Sequence, residues 1–204
     1  MENDTSDEEA SDDGNMNSME SNDPNVLENK DNMKYNTLNF SLANARSLST
    51  IVVSLVDKFR ELELDFSIIT ETWFKNDREH RQELEDIKNA EKIEFICKNR
   101  PTRGGGVAIA FDTTNMKLKA LPVPGQNEVV AAVGCSTSIS RPIVIIAVYL
   151  PPKQKADTTR GICSTIADVI EKAKLKHSDP YIVVGGDINK KNFLPAYEDF
   201  LGCW

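Results

Sequence analysis

The chain has 204 residues, 40% of them hydrophobic, and a formal net charge of -8, enough for one domain with a sizeable core. Residues 1–34 hold eleven acidic and two basic side chains, which leaves 21 acidic against 22 basic over the remainder, so the acidity belongs to one end. No apolar run is long enough to span a bilayer, and no basic-then-apolar leader opens the chain. An intracellular, soluble protein is therefore expected, nuclear or cytoplasmic, without a membrane partner.

In chain order, residues 1–34 are rich in Asp, Glu, Asn and Ser, with almost no large apolar side chains. Such a segment cannot bury enough surface to offset its ordering entropy, and an acidic disordered tail is expected. Residues 35–204 form the expected domain. Leu38, Phe40 and Leu42 alternate in a first strand over 35–42. Ile51, Val52, Leu55, Val56, Phe59 and Leu62 then recur at helical spacing, which predicts a helix from Ser49 or Thr50 to about Leu62. A second strand is expected over 66–70, a charged helix over 78–89 and a third strand over 93–97. Four more follow, over 107–111, 116–121, 128–135 and 142–150. The last is nearly all β-branched, as a strand buried on both faces requires. Ile162, Ile166, Ile170 and Ala173 mark the inward stripe of a helix over 158–176, and 181–184 reads as a final strand. Helices near the ends and hairpins in the middle predict an α/β (α+β) fold of two stacked mixed sheets with helices outside.

Four strand ends carry the polar residues that suggest chemistry. They supply Asn44 with Arg46, then Glu71, Tyr149, and Asp187 with Asn189. The last pair follows Gly185 and Gly186, which are expected to turn the backbone sharply at the strand's end. A carboxylate with a carboxamide oxygen suits a hard cation such as Mg2+. A second carboxylate can orient a water, and a phenol and an amide NH2 can donate to phosphate oxygens. If the four ends converge, they form the equipment for metal-assisted phosphodiester cleavage.

Residues 39–46, Thr70-Glu71-Thr72-Trp73, residues 103–111, Val148-Tyr149-Leu150-Pro151-Pro152 and Gly185-Gly186-Asp187-Ile188-Asn189 resemble the motifs of the endonuclease/exonuclease/phosphatase family. The branch they resemble is the endonuclease domain of non-LTR (LINE-type) retrotransposons, in which a reverse transcriptase can follow. The resemblance spans about residues 35–204. It implies a four-layer sandwich of two mixed β-sheets flanked by helices, and a Mg2+-dependent hydrolase (Mn2+ being an alternative) that nicks DNA. By that likeness Glu71 binds the metal with Asn44 beside it. Tyr149 faces the scissile phosphate, Asp187 orients the nucleophilic water, and Asn189 holds the phosphate in the transition state; Arg46, beside Asn44, is read as a further phosphate-binding residue. The family carries a further Asp and an Asp-His near its C-terminus. No such motif stands in this sequence, so an incomplete C-terminal part and impaired catalysis are expected. Two rivals stay open: a catalytically dead module that binds nucleic acid or protein, and another phosphoesterase of the same fold.

Several features are read more plainly. His80 and His177 sit among charged neighbours and are expected on the surface. The four cysteines lack metal-type spacing and are expected to be buried or free thiols. Gly104, Gly105 and Gly106 lack the Gly-Lys-Ser/Thr of a P-loop and are expected to make a tight turn into a strand. Trp73 is assigned to packing. Arg100, Arg103, Lys153, Lys155, Lys190 and Lys191 flank the strand ends and could track phosphates along a rim.

Overall fold

The computed structural model describes residues 37–74, 80–100, 104–125 and 127–189. The expected disordered segment over 1–34 lies outside the described residues, as do Arg103, Lys190, Lys191 and Cys203. Eight strands and three helices follow in order: β1 (Phe40–Asn44), α1 (Leu48–Glu61), β2 (Phe66–Thr70), α2 (Arg81–Glu91), β3 (Ile93–Lys98), β4 (Val107–Asp112), β5 (Met116–Leu121), β6 (Val129–Ser136), β7 (Ile139–Leu150), α3 (Ala156–Lys176) and β8 (Tyr181–Ile188).

The strands make two four-stranded mixed sheets, ordered β1-β2-β4-β3 and β5-β6-β7-β8. Each contains one parallel pair, β1 with β2 and β7 with β8. A parallel pair needs a crossover, and α1 and α3 are those crossovers. The remaining neighbours are antiparallel.

Strand periodicity sorts the side chains into layers. Phe66, Ile68, Ile109 and Phe111 of the first sheet pack between the sheets against Val130, Ala132, Ile143 and Ile145 of the second. The opposite face of the first sheet, with Ile69, Ala108 and Ala110, is covered by Leu55, Val56 and Phe59 of α1 and flanked by Leu84 and Ile87 of α2. The opposite face of the second, with Ala131, Val144 and Ile146, receives Ile162, Ile166 and Ile170 of α3. The result is the expected four-layer arrangement of helix, sheet, sheet and helix.

Several expected details change. The first strand runs over Phe40–Asn44 and sits at a sheet edge. Its Phe40 and Leu42 are consequently 53% and 56% exposed, although Phe40 stacks on Phe66 with ring centroids 5.0 Å apart. The first helix begins at Leu48, and Leu62 beyond its end is exposed. The last strand continues through both glycines to Ile188.

The expected turn at those glycines is therefore corrected, and close packing is the physical reason. A Cβ on Gly185 would lie 2.8 Å from Ile68 Cδ1 of the facing sheet. One on Gly186 would lie 1.7 Å from the Val148 carbonyl oxygen of the neighbouring strand. The histidines are also more enclosed than expected. His177 is half-buried, and His80 stacks on Phe74 with ring centroids 4.3 Å apart. Among the described residues Cys97, Cys135 and Cys163 form no disulfide, and they are half-buried, exposed and buried respectively. Among the described residues no helix is long and apolar enough to cross a membrane.

Candidate active site

Parallel pairing carries the polar residues to one end of the sandwich. Asn44 is paired in register with Thr70, one residue before Glu71, and Tyr149 is paired with Asp187. Asn44 has the strand parity of Phe40, Tyr149 that of Ile143 and Ile145, and Asp187 that of Val183. All three therefore point into the seam between the sheets.

The side chains meet there. Asn44 Nδ2 donates to Glu71 Oε1 at 3.1 Å and to Asp187 Oδ2 at 3.1 Å. One carboxamide thus uses both its N–H groups on two carboxylates, one from each sheet. Its Oδ1 accepts from the Arg46 backbone N–H at 3.3 Å. Tyr149 Oη donates to Glu71 Oε1 at 3.2 Å. Asn189 stands one step outside this cluster, its Nδ2 donating to the Leu150 carbonyl at 3.3 Å. Arg46 follows Asn44 on the adjoining loop and is exposed.

The loops that hold these groups interlock through their backbones. Ser47 and Leu48 N–H groups donate to the Glu71 and Thr72 carbonyls at 2.9 and 3.0 Å. Trp73 and Thr72 N–H groups donate to the Gly105 and Gly106 carbonyls at 2.9 and 3.4 Å. Positive φ values concentrate in these loops: 44° at Arg46, 107° at Ser47, 56° at Glu71 and 60° at Trp73. Non-glycine residues adopt this region at a cost and persist there only where the surroundings over-determine them. The buried Thr72 Oγ1 and Trp73 Nε1 have no hydrogen-bond partner among the described residues.

Electrostatics follow from the crowding of carboxylates in a half-buried seam. The Tyr149 phenol is pushed up to about 12, first by burial, then by the charge and hydrogen bond of Glu71, with Glu128 and Asp187 adding. It remains a protonated donor across the physiological range.

Glu128 is the residue the sequence reading missed. Its carboxylate accepts the Gly106 N–H at 2.6 Å and pairs with Arg100 Nη1 at 3.1 Å. Burial raises its pKa against the opposing pull of Gly106 and Arg100, and the Glu71 charge adds to the rise. Nothing in the sequence around Glu128 distinguishes it from an ordinary residue at a strand's start. The Gly triplet is the one visible trace, since a glycine turn of this kind often marks a close backbone approach. All three glycines have left-handed φ, at 83°, 76° and 86°, as the expected tight turn requires.

Arg100 is held by a carboxylate and lines the groove beside Tyr149. Lys153 and Lys155 are exposed on the turn between β7 and α3. A groove of about 540 Å3 runs beside Tyr149, lined by Lys98, Asn127, Gln154 and Thr158 among others. Neither histidine is a hydrogen-bond partner of the cluster. His80 pairs with Glu83, and His177 caps the end of α3.

The donor set fits a divalent cation. Among the described residues no three His, Cys, Asp or Glu side chains gather into a self-sufficient metal site. The Glu71 and Asp187 carboxylates, bridged by the Asn44 NH2, nonetheless supply oxygen donors from two side chains in reach of solvent. That suits Mg2+, which keeps several waters and takes only one or two protein carboxylates. The Asn44 NH2 lies between the carboxylates, where partial positive charge is favoured.

No family model matches the sequence, and no curated protein matches it. Solved structures do match. An endonuclease/exonuclease/phosphatase family protein from Bacteroides thetaiotaomicron superposes with a TM-score of 0.60 at 10% identity, covering 81% of this chain and 68% of that one. The endonuclease domain of TRAS1, a telomere-specific non-LTR retrotransposon, gives a TM-score of 0.53 at 14% identity, covering 79% and 68%. An AP endonuclease from Archaeoglobus fulgidus gives 0.55 at 14% identity, covering 82% and 71%. The chain has the fold of the endonuclease/exonuclease/phosphatase proteins. The retrotransposon endonuclease is among the structures that share it.

Proposed function

We propose that the protein is a divalent-metal-dependent phosphodiester hydrolase of retrotransposon origin that nicks DNA. The observation that carries this reading is the convergence of Asn44, Glu71, Tyr149 and Asp187, from four strand ends, into one hydrogen-bonded cluster. Glu71, with Asn44 beside it, would hold Mg2+ or Mn2+, which supplies charge stabilisation to the phosphoryl oxygens when bound. Asp187 orients a water and accepts its proton. Tyr149, kept protonated, donates to a non-bridging phosphate oxygen. The Asn189 carboxamide exchanges the Leu150 carbonyl for a second phosphate oxygen, and Arg46 flanks the approaching strand. The groove with Lys98, together with Lys153 and Lys155, offers a path for the backbone of the nucleic acid.

The test is relaxation of supercoiled plasmid with Mg2+, comparing wild type with Glu71→Ala and Asp187→Ala. Wild type should nick, and each variant should lose about 10²-fold or more in rate. Equal relaxation by wild type and both variants would mean a contaminating nuclease. Salt-dependent DNA binding by a wild type that never nicks would instead identify a catalytically dead binding module.

A further inference from the structure

Three segments of the site meet on Glu128, which lines the groove beside Tyr149. Its carboxylate, with a side chain only 11% exposed, accepts the Gly106 N–H at 2.6 Å and pairs with Arg100 at 3.1 Å. Its backbone carbonyl accepts the Tyr149 N–H at 2.9 Å. The glycine turn over 104–106 is wedged between it and the loop that carries Glu71. A Cβ on Gly105 would lie 2.5 Å from Glu128 Oε2, and one on Gly106 would lie 2.3 Å from Thr72 Oγ1. On its far side the same turn accepts the Trp73 and Thr72 N–H groups, which immediately follow Glu71. A continuous set of short contacts therefore runs from Glu128 through Gly105 and Gly106 to Thr72 and Trp73, and so to a Glu71 whose own φ is 56°.

We propose that Glu128 is a positioning residue, holding the Glu71 carboxylate in place through the glycine turn while its main chain holds Tyr149. A buried carboxylate is costly unless it is paired and hydrogen-bonded. Arg100 and Gly106 satisfy it here, and in doing so they fix the turn. Left-handed backbone at Glu71 and Trp73 relaxes readily once its restraints go. Loosening of this segment is therefore the expected response to losing the Glu128 carboxylate.

The role in catalysis rests on the hydrolase reading, so the experiment has one arm that does not. Amide hydrogen exchange is measured on the full chain without metal or DNA, for wild type, Glu128→Ala and Glu128→Gln. In Glu128→Ala, exchange at Gly106, Thr72 and Trp73 should speed up about tenfold or more while Ile109 and Ile145 in the central strands stay unchanged. In plasmid nicking the same variant should lose about tenfold or more in kcat with KM within about twofold. Glu128→Gln, which keeps an oxygen for Gly106, should recover much of both. Wild-type exchange at Thr72 and Trp73 in the alanine variant overturns the proposal. So does an acceleration shared equally by Ile109 and Ile145, which marks a general loss of stability. A wild type that fails to nick removes the hydrolase reading, and the exchange arm still decides the positioning role.

Discussion

A phenol enclosed beside carboxylates holds its proton well beyond the usual range, and Tyr149 is placed to do so. Its hydroxyl faces Glu71, with Glu128 and Asp187 near enough to oppose a further negative charge. Alkaline difference spectra of wild type and Tyr149→Phe should therefore coincide up to about pH 11, because exposed tyrosines ionise near 10 and Tyr149 near 12. A wild type with one extra tyrosine ionising near 10 would contradict this placement. The neighbouring Asn44 illustrates what a sequence can and cannot disclose about a residue. Its position at a strand end was readable, but the division of its amide between Glu71 and Asp187 was not. That division depends on how two sheets dock, a relation between segments far apart in the chain.

At the scale of elements, the strands were legible where burial on both faces forced a β-branched run. Residues 143–150 of β7 are all buried, and no alternation competes with the apolar signal. The inward stripe of α3 was equally clear, since Ile162, Ile166, Ile170 and Ala173 keep helical spacing and are all buried. The reading failed at β8. Gly185 and Gly186 carry the composition of a turn, but here they solve a packing problem inside a strand. Gly186 lies against the Val148 backbone, which cannot move without breaking the parallel ladder. Gly186→Ala should accordingly destabilise the fold by about 1–3 kcal/mol in urea titrations and displace Asp187, the next residue. A variant as stable as wild type would show that β8 can shift to admit a methyl group. Glu128 was illegible for a different reason. Its partner Gly106 offers only a backbone N–H, which leaves no side-chain pattern in the sequence.

At the scale of the whole molecule, buried carboxyls set how stability depends on pH. Asp65 is 4% exposed at the end of the sandwich away from Asn44 and accepts the Asn39 N–H at 2.8 Å. Burial raises its pKa from the ordinary 3.8. The folded protein thus binds this proton more tightly than the unfolded chain. Its contribution is most favourable below the ordinary pKa and is lost as pH rises through the raised folded value. Measured from about pH 4 upward, wild type should lose stability relative to Asp65→Asn through that window and then keep a constant gap. A wild type that gains stability relative to Asp65→Asn as pH rises through that window would reverse the assigned sign.

The bridge from Asn44 to Asp187 joins residues 143 positions apart in the chain. Contacts of such separation form only after a large loss of chain entropy, and they are among the late events of folding. A partly folded chain would carry every carboxylate of the site without their shared seam. The hydrogen-bonded cluster would then form in one late step, when the second sheet closes on the first. If the proposed hydrolase reading holds, the protein would be a bystander to nucleic acid until the sandwich is complete.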